Sequence, residues 1–268
     1  MERVRYRPVR AWVWLLPGML WGLTASAEDW AGYEKLSREQ VLARVAEARS
    51  APADLTSKNL SEQSLAGVDF RGANLSASVL NRADLTGAKL DKCNLTVSFL
   101  EGAKLAKASL ANAMMFSVQM AGAVLTEANL SGARLIGDLR RTDLSNATLT
   151  HMKAAADMRN QSMGLMRTNI VNAKAINADF SESELARADL SFSDFTGAKM
   201  VRTKLERADF SGSILKGADL TGADLREAVL IDADLTNANL TDADLTGAEL
   251  RGIKGLDTAT RTGTRGLP

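Results

Sequence analysis

The sequence has few of the residues that form cross-links, metal sites or acid–base pairs. Cys93 is the only cysteine among 268 residues, which excludes a disulfide within the chain. There is one histidine, so metal sites built from several histidine and cysteine ligands are excluded as well. Aromatic residues make up only 5% of the chain. No phosphate-binding loop and no nucleophile beside a base is evident, so we expect no enzymatic activity and no catalytic, cofactor-binding or metal-binding residues.

The chain also lacks an excess of charge of either sign. It has 33 basic and 32 acidic residues, which gives a formal net charge of +1. A nearly neutral chain has no global field that would attract nucleic acid or an anionic membrane. We therefore expect neither as a partner.

The first 27 residues have the three parts of a secretory signal peptide. Four arginines precede the uncharged apolar run from Ala11 to Leu23, and the small residues Ala25-Ser26-Ala27 follow it. A membrane anchor is the alternative, but the run has about 13 residues where a span needs about 20. The sequence therefore predicts cleavage after Ala27, a periplasmic or secreted location and no stable membrane anchor. Without residues 1–27 the chain would carry 29 basic and 31 acidic residues.

A period of five residues runs through most of the remaining chain. From Leu55 to Leu250 in steps of five there are 40 positions, and 34 of them are Leu, Phe, Met or Ile. An amphipathic helix repeats every 3.6 residues and a half-buried strand every two, so neither explains the pattern. The chain must turn every five residues, with one large side chain of each segment facing inward. The residue two positions earlier is nearly always small, which suits an inward position near a corner.

Four such segments make a coil of 20 residues, and successive coils stack at the strand spacing of about 4.8 Å. Each coil buries its apolar side chains only against its neighbours, so stability grows with the length of the array. Cys93 falls on a small inward position, and we expect it to be a core residue rather than a reactive thiol.

Runs such as Ala218-Asp219-Leu220-Thr221-Gly222 and Ala243-Asp244-Leu245-Thr246-Gly247 resemble the A-(D/N)-L-x-x signature of the pentapeptide-repeat family. The resemblance implies an all-β fold, a right-handed quadrilateral parallel β-helix of about ten coils, here over residues 53–250. The best-known activity in that family is interaction with topoisomerases by mimicking DNA. That activity requires a strongly acidic surface, and the near-neutral charge and the predicted export argue against it here.

The repeat loses its phase between Leu135 and Leu165. The next three leucines keep the spacing of five but come one residue early, at Leu139, Leu144 and Leu149. The original phase returns at Leu165, as expected if one deleted residue is balanced by one inserted residue. Residues 136–164 are therefore predicted to be irregular. Two interpretations stay open, a bulged coil in a continuous solenoid and a boundary between two β-helical halves.

The irregular stretch contains the only histidine, His151, close to Met152, Met158, Met163 and Met166. In an exported protein, histidine and methionine side chains could bind copper(I). The spacing of these residues is irregular, however, and methionine is a common filler of imperfectly packed space. We therefore predict no metal site.

The two ends of the solenoid differ in their patterns. Ser37-Arg38-Glu39-Gln40 is a capping-box pattern, and apolar residues follow it at helical spacing. A short capping helix is therefore predicted over residues 38–49, within an N-terminal cap of residues 28–52. Residues 251–268 show no amphipathic pattern and are predicted to form an irregular C-terminal tail.

Outward residues that are 20 apart stack on adjacent coils, and this rule brings a group of apolar side chains together. The candidate partner-binding residues are Val79, Val97, Phe99, Met114 and Phe116. Contiguous apolar patches of this kind mark contacts with other proteins. Cover by a neighbouring segment, such as the one around Trp30, is the alternative.

The sequence as a whole predicts a non-enzymatic, exported solenoid that binds or scaffolds an unknown protein partner, with a homo-oligomer left open. A structural envelope protein without a specific partner is one alternative. An enzyme with an unfamiliar site on a face of the β-helix is another.

Cleavage after Ala27 can be checked by N-terminal sequencing. The full chain expressed in bacteria should be recovered from the periplasm or the medium with Glu28 as its first residue, because signal peptidases require small residues at the cleavage site. The Ala27→Arg variant should keep its N-terminal segment. Recovery of the unsubstituted protein from the cytoplasm, with Met1 still present, would contradict the prediction.

Overall fold

Backbone hydrogen bonds join residues about 20 apart along most of the chain, in a computed structural model that describes residues 30–48, 51–155 and 167–267. The amide of Leu55 donates to the carbonyl of Asn74 at 2.8 Å, and the amide of Asn74 donates to the carbonyl of Ala53 at 2.9 Å. Repetition of this pair gives four parallel ladders, one along each side of the coil. We number the sides by their first outward residues: side 1 from Asp54, side 2 from Asn59, side 3 from Ser64 and side 4 from Asp69.

Regular elements are few because most sides contribute one paired residue between two corners. In chain order the elements are β1 (Glu34–Lys35), α1 (Arg38–Glu47), β2 (Lys58–Asn59), β3 (Met114–Gln119) and β4 (Arg134–Asp138). Strand β1 pairs in parallel with β2, and β3 pairs in parallel with β4. Tyr33–Pro268 form one compact unit, and the described residues 30–32 belong to the unit before it.

The predicted signal peptide, residues 1–27, lies outside the described residues. Within the described ranges, no helix has the length and apolar character needed to cross a membrane.

Nearly every described corner turns through a residue with positive φ, two positions after the inward centre; Gly137, after Leu135, is an exception. Glycine adopts this left-handed conformation without steric cost, as at Gly67 and Gly87 with φ of 69° and 63°. Many corners carry a polar residue instead, such as Asn112 with φ of 58°. The amide three residues after the centre closes the corner, as where Val68 donates to the Leu65 carbonyl at 3.2 Å.

The inward centres form one apolar core along the unit. Leu75, and the centres stacked with it, have no exposed surface. Phe180, Phe195 and Phe210 stack edge to face, with ring centroids 5.9 Å and 5.7 Å apart. Cys93 is fully buried on its small inward position, and its thiol donates to the Phe70 carbonyl at 2.9 Å. The expectation that Cys93 is a core residue is confirmed.

Helix α1 lies against the first coil. The Ser37 hydroxyl accepts from the Gln40 amide at 3.3 Å, and the Gln40 side chain accepts from the Ser37 amide at 2.7 Å. Leu36 and Val41 are buried in the same core as the coil centres, and the Arg38 guanidinium donates to the Ser64 carbonyl at 2.7 Å. The helix ends at Glu47, and residue 49 of the predicted range lies outside the described residues.

The stretch 136–164 contains two separate changes of register. Phe116 pairs with Ile136, a step of 20, whereas Val118 pairs with Gly137, a step of 19. The shortened side presses Gly137 against Val118. A Cβ at position 137 would clash with the Val118 carbonyl oxygen and come within 2.8 Å of its Cγ1. Only glycine fits there without a shift of the backbone.

The second change is larger than the expected single inserted residue, and that expectation is wrong. Asp138 pairs with Asn169 and Lys153 with Glu184, a step of 31, so eleven residues are added to the regular 20. One residue lost and eleven gained make a net gain of ten, the length of two sides, and the period of five therefore returns to its phase. Bridges between adjacent coils are present both before and after the insertion. Residues 156–166 lie outside the described residues.

The residues predicted as an irregular tail, 251–268, instead continue the ladder. Lys254 bridges to Asp234, and the step then widens to 21, where Thr260 bridges to Asn239 and Arg265 to Asp244. Four partly buried side chains pack against the core at this end: Leu250, Ile253, Leu256 and Leu267. They cover this end of the described core with separate side chains, whereas a helix covers the other end.

Replacement of Gly137 by alanine should destabilise the solenoid. The added methyl group must displace the Val118 backbone, and overpacking of this kind costs about 1–3 kcal/mol. Denaturant unfolding followed by circular dichroism measures the change. Gly32→Ala is the matched control, because a Cβ at Gly32 would meet no heavy atom within 4 Å. An unchanged midpoint for Gly137→Ala would contradict the close approach.

Candidate interaction surface

The predicted partner-binding residues lie around one corner of the solenoid, between sides 1 and 2. Met114 is an outward residue of side 1, whereas Val79 and Phe99 are paired outward residues of side 2. Val97 is the corner residue between them, with φ of 59°. Phe116 follows on the next coil, within β3. The structure therefore brings all five residues onto adjacent coils.

The five residues differ in their exposure to solvent. Val97 is 47% exposed and Met114 is 39% exposed, while Phe99 and Phe116 are half-buried. Val79 is fully buried although it occupies an outward position, so the expectation that it is part of an exposed surface is wrong. The accessible part consists of Val97, Met114 and Phe116, which we call the side-1 patch.

Two cations border the side-1 patch. The Arg134 guanidinium lies 5.8 Å from the centre of the Phe116 ring, a cation–π contact. Arg134 and Lys153 are consecutive outward residues of side 1, and neither makes an ion pair with another described residue. Side 1 carries no carboxylate from Asn74 to Lys153. The patch therefore has a positive border.

The backbone at Val97 is unusual for its side chain. A β-branched residue at positive φ is strained, because Cβ crowds the adjacent backbone. Among the described residues, Val97 and Phe192 are the two large apolar residues with positive φ. The other corner residues that are not glycine are charged, polar or alanine. Apolar corner residues therefore single out two places on the surface.

Phe192 was not identified from the sequence as a candidate. It is 62% exposed at the corner between sides 2 and 3, and Ile214 on side 3 is 39% exposed. We call these two residues the side-3 patch. A search of the residues two positions after each inward centre would have found Phe192, because glycine or a polar residue is the usual occupant there.

Most charged residues at the corners pair along the solenoid axis with the residue 20 positions away. Examples are Arg82 with Glu62 at 2.6 Å and Arg207 with Glu227 at 2.7 Å. Hydrogen bonds from Arg207 lower the pKa of the Glu227 carboxyl. The two charges of each exposed pair neutralise each other, and such pairs contribute little to stability.

A groove of about 700 Å³ lies between the C-terminal end of α1 and the first coils. It is lined by Val45, Ala48 and Pro52 on one edge and by Asp69 and Arg71 on the other. The Arg71 guanidinium contacts the Asp69 carboxylate at 2.6 Å, and its hydrogen bonds lower the pKa of that carboxyl. The charged lining of the groove thus consists of this ion pair together with Asp91 and Lys92.

His151 and Met152 face in opposite directions and do not share a site. His151 is a corner residue whose Nδ1 lies 3.3 Å from a carboxylate oxygen of Glu182. Met152 is fully buried in the core. Over the described ranges, no three His, Cys, Asp or Glu side chains group closely enough to hold a metal ion. Met158, Met163 and Met166 lie outside those ranges.

The ladders define a class of protein, a parallel β-solenoid with four sides of about five residues in each coil. Pentapeptide repeats, in eight copies, match residues 59–96, 100–132, 120–153, 165–200, 176–212 and 213–252. These matches span well over half of the sequence. The chain therefore belongs to the pentapeptide-repeat family.

Several solved structures are similar to this chain. HetL, a pentapeptide repeat protein involved in heterocyst differentiation regulation in Nostoc sp. Strain PCC 7120, is 27% identical over 85% of this chain and 98% of its own, with a TM-score of 0.35. QnrB1, a plasmid-mediated fluoroquinolone resistance protein, is 18% identical over 79% of this chain and 89% of its own, with a TM-score of 0.39. A pentapeptide repeat protein of the Arabidopsis thaliana thylakoid lumen is 33% identical over 32% of this chain and 57% of its own, with a TM-score of 0.23. No curated protein matches the sequence.

The Cys93 thiol should stay unreactive until the solenoid unfolds. Burial raises its pKa to about 12, and the thiolate is the reactive form, so the native thiol is protonated at pH 8. Labelling with a chromogenic disulfide reagent should occur in denaturant and not in buffer. A Cys93→Ala protein with Lys89→Cys, an exposed position on side 4, provides the reactive control. Rapid labelling of native Cys93 would contradict its burial.

Proposed function

We propose that this protein is exported and acts as a non-enzymatic binding or scaffolding module that contacts a protein partner through the side-1 patch. The observation that carries the proposal is the exposure of Val97 and Met114 on a solenoid whose outward positions are mostly polar. Exposed contiguous apolar side chains are characteristic of protein contact sites. Export rests on the arginine-rich and apolar pattern of residues 1–27.

The strain at Val97 supports a role in binding. Serine occupies the equivalent corner one coil later, at Ser117, and alanine one coil earlier, at Ala77, so the fold does not require an apolar β-branched residue there. Strained residues persist where function retains them. A valine at this corner extends the apolar surface of Met114 and Phe116 toward side 2.

The border of the patch indicates the character of the partner. Arg134 and Lys153 lack carboxylate partners among the described residues, and they would attract a protein surface that presents acidic groups beside an apolar side chain. The core supplies the rigidity that such a module needs, because backbone hydrogen bonds join the described coils along every side.

The non-enzymatic assignment is supported by the state of the groups that could react. The thiol of Cys93 is buried, with a raised pKa, and donates to a backbone carbonyl. The carboxylate of Asp69 in the groove is paired with Arg71 and its pKa is lowered. Neither is poised for nucleophilic attack or proton transfer at neutral pH.

The double variant Val97→Ser, Met114→Asn tests the proposal. Both replacements already occur at equivalent positions, at Ser117 and at Asn94, so the solenoid should fold unchanged while the apolar surface is lost. Affinity capture from periplasmic extract, read by mass spectrometry, should recover a protein with the unsubstituted chain and at least several-fold less of it with the variant. Val124→Asn is the control, because Val124 is 37% exposed on side 3, away from the patch.

Equal recovery of every captured protein by the unsubstituted chain and the double variant would overturn the role of the side-1 patch. Capture of no protein at all would favour a structural envelope protein without a specific partner.

A further inference from the structure

We propose that the side-3 patch, Phe192 and Ile214, is a second binding surface, and that its occupant is a basic protein segment carrying Lys or Arg beside apolar side chains. The proposal goes beyond the function proposed above and is independent of it, because none of the side-1 residues takes part. It rests on three observations: the conformation of Phe192, the position of Ile214 and the charges around them.

Phe192 occupies a corner position that does not favour it. Its φ is 56°, a left-handed conformation in which a bulky side chain is disfavoured. The equivalent corners one coil before and two coils after carry Asn172 and Asp232, residue types that tolerate this conformation. The protein therefore retains an aromatic side chain, 62% exposed, where a polar residue would be less strained.

The ring of Phe192 packs against the next coil. It lies over Gly212, where an added Cβ would come within 2.7 Å of the ring carbon Cδ1. Gly212 thus leaves the space that the ring occupies, and most of the Phe192 surface remains open to solvent. Contact with the next coil restricts the ring, and this reduces the side-chain entropy that would be lost on binding.

Ile214 extends the apolar surface from the ring onto side 3. It follows Gly212 by two residues and lies between Asp194 and Asp234 in the ladder. Most outward positions of side 3 carry Asp or Lys, so a branched aliphatic side chain is unusual there. The two side chains together offer an apolar contact on a face whose outward residues are mostly polar.

Three carboxylates near this contact make no ion pair. Asp194 is the ladder partner of Ile214 on the preceding coil. Asp209 lies on side 2 of the coil that contains Gly212. Asp232 is the corner residue one coil after Gly212. None of these three makes an ion pair with another described residue. Two neighbouring cations are already engaged, because Arg167 contacts Asp189 at 2.8 Å and Lys216 contacts Asp234 at 3.2 Å. Lys174 bridges to Asp194 in the ladder and makes no ion pair with a described residue.

This combination selects the chemistry of the occupant. A guanidinium or ammonium group is attracted to the face of an aromatic ring. It also donates hydrogen bonds to carboxylates, which accept them and carry the opposite charge. Phosphate-rich surfaces, whether nucleic acid or anionic lipid, are repelled by the same carboxylates. Apolar side chains of the same segment would cover Ile214. A basic and apolar protein segment satisfies all of these groups at once.

The test uses the purified full chain and a short fluorescent peptide of alternating arginine and leucine, with binding followed by fluorescence anisotropy. The Phe192→Asn variant should bind the peptide roughly ten-fold more weakly, since it loses the cation–π and apolar contacts of the ring. Val124→Asn is the matched control, because it removes an exposed valine from the same side at a distance from the patch, and its affinity should be unchanged.

The variant also separates binding from folding. Asparagine occupies the equivalent corner at Asn172, so the thermal unfolding midpoint of Phe192→Asn should equal or exceed that of the unsubstituted protein. Weaker binding therefore cannot be attributed to an unfolded chain.

Several outcomes would overturn the proposal. Failure of the unsubstituted chain to bind the arginine–leucine peptide would do so, as would equal binding of a glutamate–leucine peptide. Equal binding of an arginine–serine peptide would show attraction by charge alone, without the apolar contact. Undiminished binding by Phe192→Asn would remove the ring from the site. A dimer seen by analytical ultracentrifugation that Phe192→Asn abolishes would identify a second copy of this chain as the occupant.

Discussion

The hydrogen bonds between coils are the constraint on which the rest of the structure depends. Each coil must place its backbone amides and carbonyls opposite those of the next coil, as in the 2.8 Å bond from Leu55 to Asn74. This requirement keeps the step between paired residues near 20 and forces a corner after every fifth residue. The corners in turn require positive φ, and the inward positions require one large and one small side chain. Only the outward and corner side chains remain free to vary.

The register tolerates change where a local contact compensates for it. The step of 19 is possible because Gly137 has no side chain to meet Val118. At the step of 31, Ala154 and Ile170 are both buried centres, and the Thr168 hydroxyl lies 2.9 Å from the Ala154 carbonyl. A hydrogen bond from a buried hydroxyl lowers the cost of burying a backbone carbonyl. The ladder therefore resumes after the insertion with its core intact.

The period of five was sufficient to predict the solenoid, its family and its core, because it reports directly on which side chains face inward. The same period could not reveal the size of the insertion after Ala154. A net gain of ten residues is a multiple of five, so it leaves the phase of the repeat unchanged. The sequence pattern therefore cannot distinguish this gain from no gain at all. The ladder pairs of Asp138 and Asn169 were needed to count the added residues.

The candidate surface was harder to predict than the fold for two physical reasons. Outward direction does not ensure exposure, and Val79, which the ladder places outward, is fully buried. Phe192 was missed because the candidates were chosen around the stacked outward pair Val79 and Phe99, and corner residues elsewhere, where steric rules favour glycine, were not compared. The backbone conformation then explains why an aromatic side chain is unusual at that corner.

The two proposed surfaces differ in charge and should therefore bind different partners. The side-1 patch is bordered by Arg134 and Lys153, whereas the side-3 patch is surrounded by Asp194, Asp209 and Asp232. Opposite charges at the borders select opposite partners, because a like-charged surface would be repelled from each. Val124, in the coil of Met114, is four ladder steps from Ile214, which sets the patches about 19 Å apart along the axis at the strand spacing of about 4.8 Å. Continuous backbone pairing fixes this distance, so a solenoid of this kind would hold two different partners at a set separation. That is the property that distinguishes a scaffold from a simple binding protein.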